Sequence, residues 1–129
     1  LSSPAYDAQP RCFKQLQTRF FRGSTVNLAL SIFQTPQSQW ILIRQDLKKE
    51  SRRIPRIMKA RGRKMRPNPL QNPFQTEAAL QLFRQIAWEI FVQVMAKYDD
   101  GFQQRKWPAI FNHIYETELR HINACLGRK

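Results

Sequence analysis

Apolar residues recur every three or four positions through much of this chain, the period of a helix with one buried stripe. The clearest run holds Leu80, Phe83, Ala87, Ile90, Phe91, Val94 and Tyr98, widened by Trp88 and Met95. It predicts a helix from Thr76 to Tyr98 that is apolar enough to be central. Thr76 can accept hydrogen bonds from the first free amides, and Glu77 complements the positive helix end. Asp99-Asp100-Gly101 closes it, with Gly101 suited to a left-handed cap. A second stripe, Trp40, Ile43, Leu47 and Ile54, predicts a helix from Gln37 to Arg53, ended by Pro55. A third, Ile110, Phe111, Ile114, Glu118, Ile122 and Cys125 or Leu126, predicts a last helix between Pro108 and Gly127.

The remaining segments carry weaker patterns. Phe13, Leu16 and Phe20 predict a helix from Arg11 to Arg22, with Gly23 as its stop. Val26–Gln34 is nearly all apolar at Leu28, Leu30, Ile32 and Phe33 and reads as a short helix or a strand, with Ser24 or Thr25 as a helix cap. Thr35-Pro36 breaks it. Leu1–Pro10 reads as a loose lead-in. Between Arg56 and Pro73 the period dissolves, and Gly62, Pro67, Pro69 and Pro73 mark a loop. The expected fold is therefore all-α: one domain over 1–129, a four- or five-helix antiparallel bundle. A long basic, proline-bounded loop over 55–75 would join the third and fourth helices. The Thr76–Tyr98 helix should pack against the third and last helices.

Charge changes this picture most. The 129 residues carry a net charge of +13, and such an excess points to a negatively charged partner. Ten of the 22 basic residues lie in the 19 positions from Lys48 to Arg66, against one acid, Glu50. They are Lys48, Lys49, Arg52, Arg53, Arg56, Lys59, Arg61, Arg63, Lys64 and Arg66. A local excess of this kind is a footprint for a polyanion rather than a general solubility device. Guanidinium groups make forked hydrogen bonds to phosphate oxygens. Contacts of that sort hold a nucleic-acid backbone without reading its bases. Lys48–Arg53 should form the rigid end of the third helix, and Arg56–Arg66 a flexible arm that orders on nucleic acid. Arg19, Arg22, Arg105 and Lys106 are secondary candidates, because Phe20, Phe21 and Trp107 beside them could stack on bases of a single strand.

Candidate catalytic and metal chemistry is sparse. Glu118, His121 and Cys125 share a helical face, but metal binding needs further ligands, and Cys12 and His113 are the other His or Cys residues. Asp99-Asp100 is the one adjacent acid pair, placed in a helix-end turn. No Gly-rich phosphate loop, Gly-x-Ser-x-Gly or His-Glu-x-x-His is present. The reading is a protein that is not an enzyme, with no cofactor, no metal and no small-molecule substrate. Two cysteines without a dense framework read as reduced thiols in a cytoplasmic protein. No apolar run is long enough to span a membrane. The first residue, Leu1, fits a trimmed product, a processed form or a non-standard start.

In size, helicity and the Lys48–Arg66 charge run, with the Thr76–Tyr98 helix beside it, the chain resembles the small subunit of multi-subunit, Cascade-type CRISPR effector complexes. That resemblance implies a non-catalytic subunit, present in several copies, that holds a guide–target duplex or a displaced strand among other protein subunits. A ribosomal protein, cytosolic or organellar, binding ribosomal RNA is the alternative. A nuclease using Asp99, Asp100 and His113 is a third. Whether the polyanion is RNA or DNA, single or double stranded, is left open by the residues.

Overall fold

In a computed structural model of the protein, residues 20–62, 77–98, 101 and 104–125 are described. Among them the fold is all-helical: α1 (Gly23–Ile32), α2 (Gln37–Ser51), α3 (Ile54–Gly62), α4 (Glu77–Tyr98), a single 3-10 turn (Gln104–Lys106) and α5 (Trp107–Cys125). The expected helix over Arg11–Arg22 lies outside the described residues as far as residue 19.

Helix α4 is the centre of the arrangement. Its 22 residues extend about 33 Å at 1.5 Å per residue. Phe83, Ile86, Ala87, Ile90, Phe91 and Val94 are all buried, so the expected stripe faces the core. Helices α2, α3 and α5 pack on α4, while α1 packs on α2 and α5. The helices α1, α2, α4 and α5 thus close a ring around one core, giving a bundle-like body, with α3 lying on α4 outside that ring.

The segment before α1 departs from the sequence reading. Gly23 begins a helix, with Arg22 as an extended N-cap that makes no side-chain capping bond. Neither Ser24 nor Thr25 caps it; both lie inside the first turn. The Thr25 hydroxyl instead donates to Glu118 Oε1 at 3.0 Å, tying α1 to α5 through a buried carboxylate. A Cβ at position 23 would meet Arg44 Cδ at 2.9 Å, so the missing side chain lets α1 approach α2. The chain turns at Phe20-Phe21, where Phe21 adopts a φ of 66°. That left-handed conformation is costly for a residue with a Cβ. Both rings are fully buried, Phe20 edge-on to Phe21 at 4.4 Å and to Phe83 at 5.1 Å, and Phe21 over Phe91 at 6.4 Å. Burying two phenylalanines offsets a backbone cost of this size.

The segment Val26–Gln34, open between helix and strand in the sequence, is helical to Ile32. Gln34, at a φ of 60°, turns the chain into Thr35-Pro36. Pro36 is then the N-cap of α2.

The largest correction falls on the expected loop. Helix α2 ends at Ser51, two residues before Arg53. The Ser51 hydroxyl takes the Lys48 carbonyl at 2.8 Å, and Arg52 and Arg53 make three-residue-back bonds that tighten the exit. Pro55 does not simply terminate. It sits in the first turn of a new helix, where its missing N–H costs nothing. Ile54 and Met58, four apart, are buried and hold α3 to the body. Residues 54–62 are therefore helix rather than loop; 63–76 lie outside the described residues. Beyond the other end of α4, Gly101 has a φ of 94°, a positive value that glycine adopts readily.

Phe91 joins the aromatic cluster at its middle, with Phe21, Trp88 and Phe111 at 6.4, 5.9 and 5.6 Å. Replacing Phe91 with Ala should cost about 3–5 kcal/mol of stability, read as a lowered midpoint in urea unfolding. A loss below about 1 kcal/mol would show that this cluster is not the core's keystone.

Candidate nucleic-acid interface

One side of the body is built by the C-terminal half of α2 and all of α3. On α2 the core takes Ile43, Leu47 and Ser51. At 100° per residue this leaves Gln45, Lys48, Lys49 and Arg52 outward, and all four are exposed. On α3 the core takes Ile54 and Met58, leaving Arg56 and Lys59 outward. The tight turn at Arg52-Arg53 is the only break between the two rows. Seven of the ten basic positions read from the sequence are thus exposed on these two helices and the turn that joins them: Lys48, Lys49, Arg52, Arg53, Arg56, Lys59 and Arg61. Arg63, Lys64 and Arg66 lie outside the described residues.

The acids on this side are already engaged. Glu50 Oε2 accepts from Arg53 at 2.9 Å. Glu89 on α4 takes the Arg61 fork, Nη2 to Oε2 at 2.9 Å and Nη1 to Oε1 at 3.4 Å, which pins the end of α3 to α4. Asp46 accepts from the Tyr98 hydroxyl and lies 3.8 Å from Lys97 Nζ, linking α2 to α4. Lys48, Lys49, Arg52, Arg56 and Lys59 have no ion-pair partner among the described residues. Neighbouring like charges about 6 Å apart repel by roughly 0.7 kcal/mol at the dielectric of water. This row is therefore a surface that gains when an anion arrives.

The secondary candidates are arranged differently from the expectation. Arg22 is exposed at the N-cap of α1, and Arg105 and Lys106 are exposed in the 3-10 turn. Arg19 lies outside the described residues. Phe20, Phe21 and Trp107 are buried in the core, Trp107 at 5% exposure, so the rings beside these cations are committed to packing. Of the metal candidates, Glu118 is tied to Thr25, and among the described residues no three His, Cys, Asp or Glu side chains cluster. Asp99 and Asp100 lie outside the described residues. His113 is half-buried, with no hydrogen-bond partner at Nε2. No helix among the described residues is long and apolar enough to cross a membrane.

Two features of this face were not read from the sequence: that α3 is a helix, and that Glu89 holds Arg61. The first had a signal in Ile54, Ile57 and Met58, spaced three and four apart. The second has none, since nothing local pairs positions 28 apart.

No known relative was found. Comparison with protein-family models, with curated proteins and with solved structures gave no match.

Tyr98 titrates above the ordinary tyrosine value, because its proton is held by the Asp46 carboxylate, burial disfavours the phenolate, and Asp46 would repel it. A pKa raised on folding adds stability that is complete below the unfolded value of 10.0. It is lost as pH rises through the folded value. The urea midpoint of the native protein should therefore exceed that of a Tyr98→Phe variant at pH 7, and the gap should close as pH rises above 10.0 and through the raised folded value. A gap unchanged across that range would remove the link between Asp46 and Tyr98.

Proposed function

We propose that this protein is a non-catalytic nucleic-acid-binding subunit of a ribonucleoprotein assembly, holding a nucleic-acid backbone on the α2–α3 face without base specificity. The observation that carries this reading is the row Lys48, Lys49, Arg52, Arg56 and Lys59. These are five exposed cations on two adjoining helices and the turn between them, while the nearby Asp46, Glu50 and Glu89 are already bound. Helix-mounted cations suit a regular phosphate array, since their stems are anchored and only the head groups must adapt. Exposed Leu28 and Ile32 on α1 and Ile41 and Leu42 on α2 suit a body that also meets protein neighbours, including further copies of itself. The small subunit of a Cascade-type effector complex is one assembly of this kind, holding a guide–target duplex or displaced strand. The proposed setting is cytoplasmic.

Salt tests the reading. If the face covers about five phosphates, log affinity for duplex should fall against log salt with a slope of about −4.5. A Lys48→Gln, Arg52→Gln double variant should flatten that slope by about two units, with helical circular dichroism unchanged. A flat response in the native protein would sink the proposal.

Glu89 provides an opposite test. Glu89→Gln removes the carboxylate that pairs with Arg61 at the end of α3 and releases Arg61. Duplex affinity should rise a few-fold at low salt, on the order of one extra phosphate contact, with the gain vanishing near 1 M salt. A fall in affinity would mean that the Arg61–Glu89 pair is needed to shape the face.

A further inference from the structure

Between α4 and α5 lies an open groove of about 430 Å³. Its lining is Gln81, Arg84, Gln85 and Trp88 from α4, with Pro108, Phe111 and Asn112 from α5. The surface is mostly apolar, and among the described residues its one charge is positive and no carboxylate lines it. Arg84 is held in place from two directions. Its Nη2 donates to Asn112 Oδ1 at 2.7 Å, and its guanidinium lies 5.0 Å from the centre of the Tyr115 ring. Trp88 is half-buried and fixed by Phe91, stacked at 5.9 Å, and Phe111, edge-on at 5.3 Å. The groove therefore offers a braced cation, a braced indole and a rim of exposed amides from Gln81, Gln85 and Asn112.

The surroundings fit the same sign of ligand. Arg105 and Lys106, both exposed, precede Pro108 by three and two residues. At the other border Glu89 stands one helical turn beyond Gln85, and its charge is answered by Arg61. That ion pair is also where the basic α3 meets α4. A chain leaving the α2–α3 face past Arg61 would thus reach the groove within one turn of α4.

We infer that the α4–α5 groove is a second binding site, taking unpaired bases of a single-stranded nucleic acid against the half-buried Trp88 indole while Arg84 holds the adjoining phosphate. A duplex keeps its base faces stacked inside and cannot use an aromatic wall; a single strand can, and with little sequence preference. The lining amides can hydrogen-bond base edges of any sequence. This inference rests on the proposed nucleic-acid function and extends it: the α2–α3 face grips backbone of either form, and the groove gives the preference for a single strand.

Fluorescence anisotropy with a labelled oligothymidylate and a duplex of equal length, at one low salt concentration, tests it. Trp88 and Phe111 are woven into the core, so the groove is better altered at its exposed rim, by Gln81→Glu with Gln85→Glu. A control variant, Ser24→Glu with Ser31→Glu, changes net charge equally at exposed positions on α1. The groove variant should weaken oligothymidylate binding at least tenfold and duplex binding no more than the control does. Native protein should also cross-link under ultraviolet light to the single strand through a peptide containing Trp88. Equal losses for both probes, or a groove variant indistinguishable from the control, would overturn the groove while leaving the α2–α3 face intact. Native protein that binds neither probe would overturn both.

Discussion

The burial of α4 is the constraint on which everything else in this molecule depends. A helix of 22 residues with apolar groups on more than half its circumference cannot persist in water alone. It must be covered, and three helices cover it directly. Phe20 and Phe21 enter the same core from the start of the described chain, and they do so at the expense of a left-handed turn in a residue that disfavours one. The aromatic network running from Phe20 and Phe21 through Phe83, Phe91 and Phe111 to Tyr115 makes that cover continuous. Because α4 is held this firmly, groups mounted on its remaining surface, such as Glu89, Arg84 and Trp88, have fixed places.

The electrostatic pattern follows from where α2 and α4 send their acids and where α2 and α3 send their bases. Asp46 points back to Tyr98 and Lys97, and Glu89 reaches across to Arg61. Both links tie helices together, and both withdraw a negative charge from the basic face. Exposed ion pairs of this sort contribute little to stability, typically under about 1 kcal/mol. Their larger effect is on the field: they leave the outward row of α2 and α3 without a compensating charge. The same fold that satisfies the acids internally presents the cations externally.

The sequence showed most clearly what burial dictates. The stripes on α2, α4 and α5 were legible because each residue in them answers to one core, and helical period converts that demand directly into spacing. The start of α1 was not legible. Gly23 looks like a stop in one dimension, and the close approach of the Arg44 side chain from α2 shows only in the fold. Helix α3 was misread because Pro55 and a crowd of like charges outweighed the short pattern Ile54, Ile57, Met58. Proline was read as a terminator, whereas at a first turn it is compatible with starting again. The cations themselves were legible as a count. Which of them stay unpaired depends on partners 28 residues away in sequence, and the groove beside Arg84 depends on two helices that no local pattern relates.

The helical state of residues 54–62 changes the physics of binding more than it changes the fold. A flexible arm would have to be ordered by its ligand, losing backbone freedom of roughly 1–2 kcal/mol per residue as it closed. A helix anchored by Ile54 and Met58 has already lost that freedom on folding. The phosphate-facing groups Arg56 and Lys59 then surrender only side-chain motion, and their spacing is set before any ligand arrives. Rigid spacing favours a partner whose charges are themselves regularly spaced, such as a nucleic-acid backbone, over an irregular acidic peptide. It also explains why the Arg61–Glu89 link sits at the end of α3: that helix is short, its last turn has few apolar contacts, and a forked ion pair to α4 fixes the one end that packing does not.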